Sequence, residues 1–125
     1  MAAFDGFVPG RYPIDAFGAG GFRFADMSHR GSILATPSGV RKWPVTSFAE
    51  VTEDSLRPVI DEAGTIDFLL VGTGPDIAFF PPALREALKA AGITVEAMAT
   101  GAAARTYNVL VAEERRVAAA LIAVD

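Results

Sequence analysis

The 125-residue chain carries eleven Lys and Arg against fifteen Asp and Glu, a formal charge of −4, is 51% apolar and holds no cysteine. A single domain of this size hides roughly two-thirds of its unfolded surface, so residues 1–125 read as one domain that needs no metal or disulfide staple. The cysteine count excludes disulfides, thiolate zinc sites, iron–sulfur ligation and a thiol nucleophile, and the acidic balance excludes a duplex-binding module built on many phosphate contacts.

The first ten residues, Met1 to Gly10, place Asp5 where a secretory leader needs positive charge, and no apolar core follows before Arg11. The longest apolar run, Val117 to Val124, is eight residues, against about 20 for a helical span. A cytoplasmic protein without membrane insertion is expected. From about residue 10 to 46 the chain is rich in Gly, Pro and aromatics and lacks helical spacing, so it predicts short strands and turns. Tyr12–Phe17 and Gly21–Phe24 form one expected pair around the Gly18–Gly21 turn, with Phe22 and Phe24 on one face. Gly31–Thr36 and Val40–Val45 form a second around Pro37-Ser38-Gly39, where Pro fixes φ and Gly admits a positive one.

Over residues 52–124 helix and strand signals alternate. Thr52 is placed to cap a helix carrying Leu56, Val59, Ile60 and Ala63 as its apolar stripe, ended by Gly64; Pro58 demands a kink or a late start. Asp67–Val71 reads as a buried parallel strand, Pro81-Pro82 opens a helix closed by Gly92, Ile93–Met98 is a strand, Thr100 starts a helix through about Glu113, and Val117–Val124 is the last strand. This β-α-β-α-β order implies right-handed crossovers and a largely parallel sheet. With the N-terminal antiparallel hairpins added, the expected fold is an α/β single domain with a mixed sheet.

In such sheets ligands favour the crevice beyond the carboxyl ends of the strands, here Gly72-Thr73-Gly74 and Ala99-Thr100-Gly101. The second loop enters a helix whose first turn carries only small side chains, so free amides there suit an anion, with Arg105 and Tyr107 adding a charge and a hydroxyl. The competing reading is structural: Thr100 as an N-cap, alanines seating the helix, Arg105 in an ion pair. The glycines do not form a dinucleotide fingerprint, because Ile77 holds the third glycine position and Phe79-Phe80-Pro81-Pro82 separates them from the next helix. His29 is the sole histidine and its neighbour Ser28 is no productive partner, so neither a nucleophilic triad nor a conventional zinc site is expected. Adjacent carboxylates such as Glu53 with Asp54, Asp61 with Glu62 and Glu113 with Glu114 read as solvated faces. Trp43 and the Phe79-Phe80 pair beside prolines are the candidate partner surface, unless they close the core.

Gly31-Ser32-Ile33-Leu34 with Trp43, Ile66 to Gly74, and Thr106-Tyr107-Asn108-Val109-Leu110 with Glu113 and Val117 to Ile122 together resemble a family of small bacterial and archaeal proteins. That family also contains a mitochondrial respiratory complex I assembly factor and an adipogenesis-associated mammalian protein. The resemblance spans about residues 10–124. It implies a three-layer α/β fold with a central mixed sheet, in which one strand runs antiparallel, and no established enzymatic activity. Its best-known eukaryotic member binds other proteins during assembly. Family members often carry a cysteine close to the segment preceding Tyr107; this chain has Ala104 in that neighbourhood, so a thiol-dependent role of relatives is not expected here. Gly72, Thr73, Gly74, Thr106, Tyr107 and Asn108 match the family and fall near the derived crevice. The expectation is a non-enzymatic interaction module with protein partners, as monomer or homodimer, without cofactor, metal or nucleic acid. The alternative is a small-molecule or anion-binding protein using the Gly72–Gly74 turn and the Thr100–Arg105 helix start.

Overall fold

A computed structural model describes residues 4–125; the part of the leader reading that concerns Met1–Ala3 lies outside the described residues. The strands are β1 (Phe7–Pro9), β2 (Ala16–Gly18), β3 (Gly21–Phe24), β4 (Met27–Arg30), β5 (Ser32–Thr36), β6 (Gly39–Trp43), β7 (Phe68–Gly72), β8 (Thr94–Met98) and β9 (Val117–Leu121). The helices are α1 (Arg57–Ile60), α2 (Pro82–Ala90) and α3 (Thr100–Ala112). A six-stranded sheet runs β1-β6-β5-β9-β7-β8, and a separate three-stranded sheet runs β2-β3-β4.

β9 is the pivot. It pairs parallel with β7, which pairs parallel with β8, so the C-terminal half is the parallel unit its alternation implies. On its other side β9 meets β5 antiparallel, Ile33 opposite Leu121 and Ala35 opposite Ala119, and β5, β6 and β1 continue as antiparallel strands. The antiparallel direction thus enters through the N-terminal hairpin and not within the β-α-β-α-β half.

The two faces of this sheet support two cores, because side chains along a strand alternate in direction. Leu69, Val71, Ala118 and Ala120 face a layer made by α2, through Leu84 and Leu88, and by the α1 region, through Leu56 and Val59. Leu70, Val117, Ala119 and Leu121 face α3, through Ala103, Ala104 and Tyr107, and the small sheet, through Phe22 and Phe24. Every residue of β9 is buried, since both of its faces are covered. The result is a three-layer α/β domain.

Two segments depart from their expected form. The helix anticipated after Thr52 is instead a 3-10 turn at Asp54–Leu56, one α-helical turn at Arg57–Ile60 and a 3-10 turn at Ala63–Thr65. Pro58, lacking an N–H, is tolerated only at the start of a helix, and it occupies the first turn of α1. Thr52 nevertheless closes the preceding turn, its hydroxyl accepting from the Ser55 amide at 3.1 Å, and the Leu56/Val59 stripe is buried as its spacing requires. At the N-terminus, β2 begins at Ala16 rather than Tyr12, and β1 and β4 extend the sheets beyond the two expected pairs. Asn108 explains the late start of β2: its side-chain carbonyl accepts from the Ile14 amide at 2.7 Å and its NH2 donates to the Ile14 carbonyl at 2.8 Å, holding this segment against α3.

Candidate functional site

The strand-exit loops meet as the switch-point rule requires, and Thr100 joins them. Its amide donates to the Gly74 carbonyl at 2.8 Å. Its hydroxyl accepts from the Gly74 amide at 3.1 Å and donates to the Ile122 carbonyl at 2.7 Å, all within the interior. Gly72 has to be glycine: a Cβ there would stand 2.9 Å from the Thr100 Cα. Thr73 closes the loop on itself, donating from its hydroxyl to the Asp76 carbonyl at 2.7 Å and accepting from the Ala78 amide at 3.1 Å. The polar groups of Thr73 and Thr100 therefore hold the backbone and do not point to a ligand.

What remains open is a crevice of about 510 Å³ lined by Phe17, Gly74, Pro75, Gly101, Ala102 and Arg105, among others. Among the described residues the Gly101 and Ala102 amides make no backbone hydrogen bond, as expected at a helix start. Arg105 is exposed, has no ion pair among the described residues, and lays its guanidinium over the Phe17 ring at 5.6 Å. A Cβ at Gly101 would meet that ring at 2.9 Å, so this glycine lets the β2–β3 turn dock on α3.

The remaining candidates on α3 are placed elsewhere. Thr106 donates to the Met98 sulfur at 3.7 Å and Asn108 is the Ile14 clamp. Tyr107 is fully buried in the core, and its hydroxyl has no hydrogen-bond partner among the described residues. Burial pushes its pKa up to about 12, against the opposing pull of the Arg11 guanidinium, so the phenol stays protonated and offers neither base nor nucleophile. Of the nine candidate ligand residues, Gly74, Gly101 and Arg105 line the crevice, Gly72, Thr73 and Thr100 frame it, and the Thr106–Asn108 motif serves the core.

The aromatic candidates also separate. Trp43 is buried and donates from its indole N–H to the Ser55 carbonyl at 2.8 Å. Phe80 is buried against Phe48 and beneath the Arg85 guanidinium. Both rings therefore pack into the core, Trp43 leaving only an edge at the surface. Phe79 remains, 81% exposed, with Ile77 two positions earlier at 69%.

His29 is half-buried in β4, and desolvation holds its imidazole pKa below 6.5, with Lys42 adding to this and a hydrogen bond at the Ser32 backbone opposing it. Ser28 and His29 are consecutive in a strand and face opposite sides, so they do not form a nucleophile–base pair. Among the described residues no three His, Asp or Glu side chains converge as metal ligands.

Two groupings escape sequence reasoning. Glu62, expected on a solvated face, accepts from the hydroxyls of Thr36 and Ser38 at 2.6 Å each and from the Ser38 amide at 3.1 Å, anchoring the β5–β6 turn; nothing in local sequence spacing signals this long-range contact. Arg23 and Arg30 share one groove, a placement that the two-residue period of β3 hints at by putting Arg23 opposite Phe22 and Phe24.

Comparison with known proteins gives the context. Residues 14–122 match a protein family described as of unknown function, DUF498/DUF598. The chain is similar to an uncharacterized protein of Rhodobacter capsulatus, 44% identical over 113 residues that cover 90% of this chain and 86% of that protein. It is also similar to NADH dehydrogenase (ubiquinone) 1 alpha subcomplex assembly factor 3 of Drosophila melanogaster, 41% identical over 82% of this chain and 54% of that protein, so it spans about half the length of that factor. Among solved structures, an outer membrane protein from Bartonella henselae superposes with a TM-score of 0.90 at 50% identity, covering 94% of this chain and 98% of that one. No helix among the described residues is long and apolar enough to cross a membrane. The fold, the match across most of its length and these relatives agree: the chain belongs to the DUF498/DUF598 family of proteins of unknown function.

Proposed function

We propose that the chain is a non-enzymatic protein-binding module that assists assembly of a larger complex, of the respiratory NADH dehydrogenase kind, and that it works in the cytoplasm. The observation that carries this reading is the 41% identity, over most of the chain, to a protein named as an assembly factor. The site chemistry supports it: the strand-exit threonines hold backbone, Tyr107 is a protonated core residue, and Ser28 faces away from His29. Exposed Ile77 and Phe79 provide the kind of apolar contact that protein interfaces use. The test is native separation of cell extracts containing a tagged chain. Co-migration with partial assemblies of NADH dehydrogenase supports the reading; migration only as free protein, across growth phases in which the complex is being made, overturns it.

A second reading rests on Gly101 and Ala102, whose amides make no backbone hydrogen bond among the described residues, lining one crevice with Arg105, an arrangement suited to a small anion. A thermal shift with phosphate or citrate that Arg105→Ala abolishes supports it, because a ligand of the native state raises its apparent stability by mass action. The same shift in that variant overturns it.

A further inference from the structure

Charge is unevenly distributed along this chain. Residues 1–49 carry five Lys and Arg against three Asp, whereas residues 50–125 carry six against twelve Asp and Glu. Of the five N-terminal cations, Arg11 donates to the Arg115 carbonyl and Arg41 faces Glu62 at 3.9 Å. Arg23, Arg30 and Lys42 are exposed and have neither an ion pair nor a side-chain hydrogen bond among the described residues.

These three side chains surround β4. One groove, about 480 Å³, runs along the outer face of the small sheet between Arg23 and Arg30. Arg23 lies opposite Ser28 and Arg30 opposite Gly21, so both arginines project from the same face as diagonal neighbours with the Ser28 hydroxyl between them. Ala16, Gly18 and Gly21 leave the floor nearly free of side chains. A second groove, about 570 Å³, lies beyond His29 and Arg30, with Lys42 at its rim and Trp43, Pro44 and Val45 as an apolar wall. The two share His29 and Arg30, and no Asp or Glu lines either, in a chain that has fifteen.

We propose that these joined grooves dock an acidic, extended segment of a partner protein, its carboxylates on Arg23, Arg30 and Lys42. This rests on the reading of the chain as a protein-binding module and names the chemistry of its partner. Geometry selects an extended segment. Alternate side chains of a strand lie about 6.6–6.8 Å apart, close to the roughly 7 Å between diagonal positions on adjacent strands. A small anion pairs with a guanidinium in open solvent, where a single exposed ion pair contributes little. A duplex is disfavoured, since three cations neutralise too few phosphates on a chain of net charge −4. An acidic segment engages all three cations and is steered toward this end by the asymmetry of charge.

The experiment is fluorescence anisotropy of labelled octaglutamate with the full chain at low salt. Saturable binding is expected, weakened about tenfold or more by the Arg23→Gln/Arg30→Gln pair, weakened less by Lys42→Gln, and unchanged by Lys89→Gln, an exposed cation on α2 that lines neither groove. Absence of saturable binding, or equal binding by the double variant, overturns the assignment. So does displacement of the peptide by inorganic phosphate at equal carboxylate-to-phosphate concentration, which would mark a small-anion site, or by a DNA duplex at lower concentration than the peptide. The readout involves no complex assembly, so peptide binding by a chain that never co-migrates with NADH dehydrogenase intermediates would defeat the functional reading alone.

Discussion

Thr100→Val tests whether the strand-exit region is a structural joint. Valine matches threonine in shape, so the packing around this fully buried position persists while the hydroxyl disappears. Two groups then lose their partner inside the protein: the Gly74 amide, bonded at 3.1 Å, and the Ile122 carbonyl, bonded at 2.7 Å. Stranding one buried polar group costs about 1–3 kcal/mol, so the pair costs about 2–6 kcal/mol. A domain of this size loses roughly 4 °C in Tm per kcal/mol, and the midpoint of that range corresponds to a fall of roughly 16 °C. Thr100→Ser keeps both bonds and removes one methyl, worth about 1 kcal/mol or roughly 4 °C. Thermal melts by circular dichroism on the three proteins decide the matter. A fall below about 4 °C for valine, or a serine variant as unstable as the valine one, would refute the account of Thr100 as the joint of β7, β9 and α3.

Tyr107→Phe removes a buried hydroxyl that has no partner among the described residues, so urea unfolding is expected to show equal stability or a gain of up to about 1 kcal/mol; a loss beyond about 1 kcal/mol would reveal a bond made by that hydroxyl. His29 is expected to titrate below 6.5 in NMR spectra of the folded protein. Because the unfolded chain binds more protons near that pH, the His29 contribution to stability is complete above the unfolded value and is lost as pH falls through the folded one; a variant His29→Gln with an unchanged stability profile over that window would contradict this. Phe80→Ala is expected to cost about 3–5 kcal/mol, whereas Phe79→Ser changes stability by less than about 0.5 kcal/mol; equal losses would mean that both rings are core residues.

How much the sequence discloses depends on the range of the interaction. Hydrophobic period and local breakers identify β7, α2, β8, α3 and β9 because each is selected by its own residues: an apolar run, a proline start, a glycine stop. The positive φ of Gly92, +89°, is one such local signal, ending the α2 turn where the pattern stops. Phe22 and Phe24 are legible as one buried face for the same reason. The residues between Thr52 and Thr65 are less legible, since an apolar stripe and a proline disagree, and the proline decides where hydrogen bonding begins. Long-range partners leave no local trace. Asn108 reaches Ile14 across 94 positions, and Glu62 reaches Ser38 across 24, so a motif that reads as a site turns out to clamp the core and a carboxylate that reads as solvated anchors a turn. The Trp43 and Phe80 rings illustrate the remaining ambiguity: beside a proline, an aromatic fits a surface or a core equally well by sequence, and packing settles both as core.

The central claim, that the chain assists assembly through protein binding, is tested most directly by deleting it in its native cell. The quantity to measure is fully assembled NADH dehydrogenase, on native gels and as enzyme activity per subunit. The account predicts less assembled complex with accumulated intermediates, restored by the intact chain and by Thr100→Ser, and restored poorly by the Arg23→Gln/Arg30→Gln pair. Normal assembly and activity without the chain would contradict it.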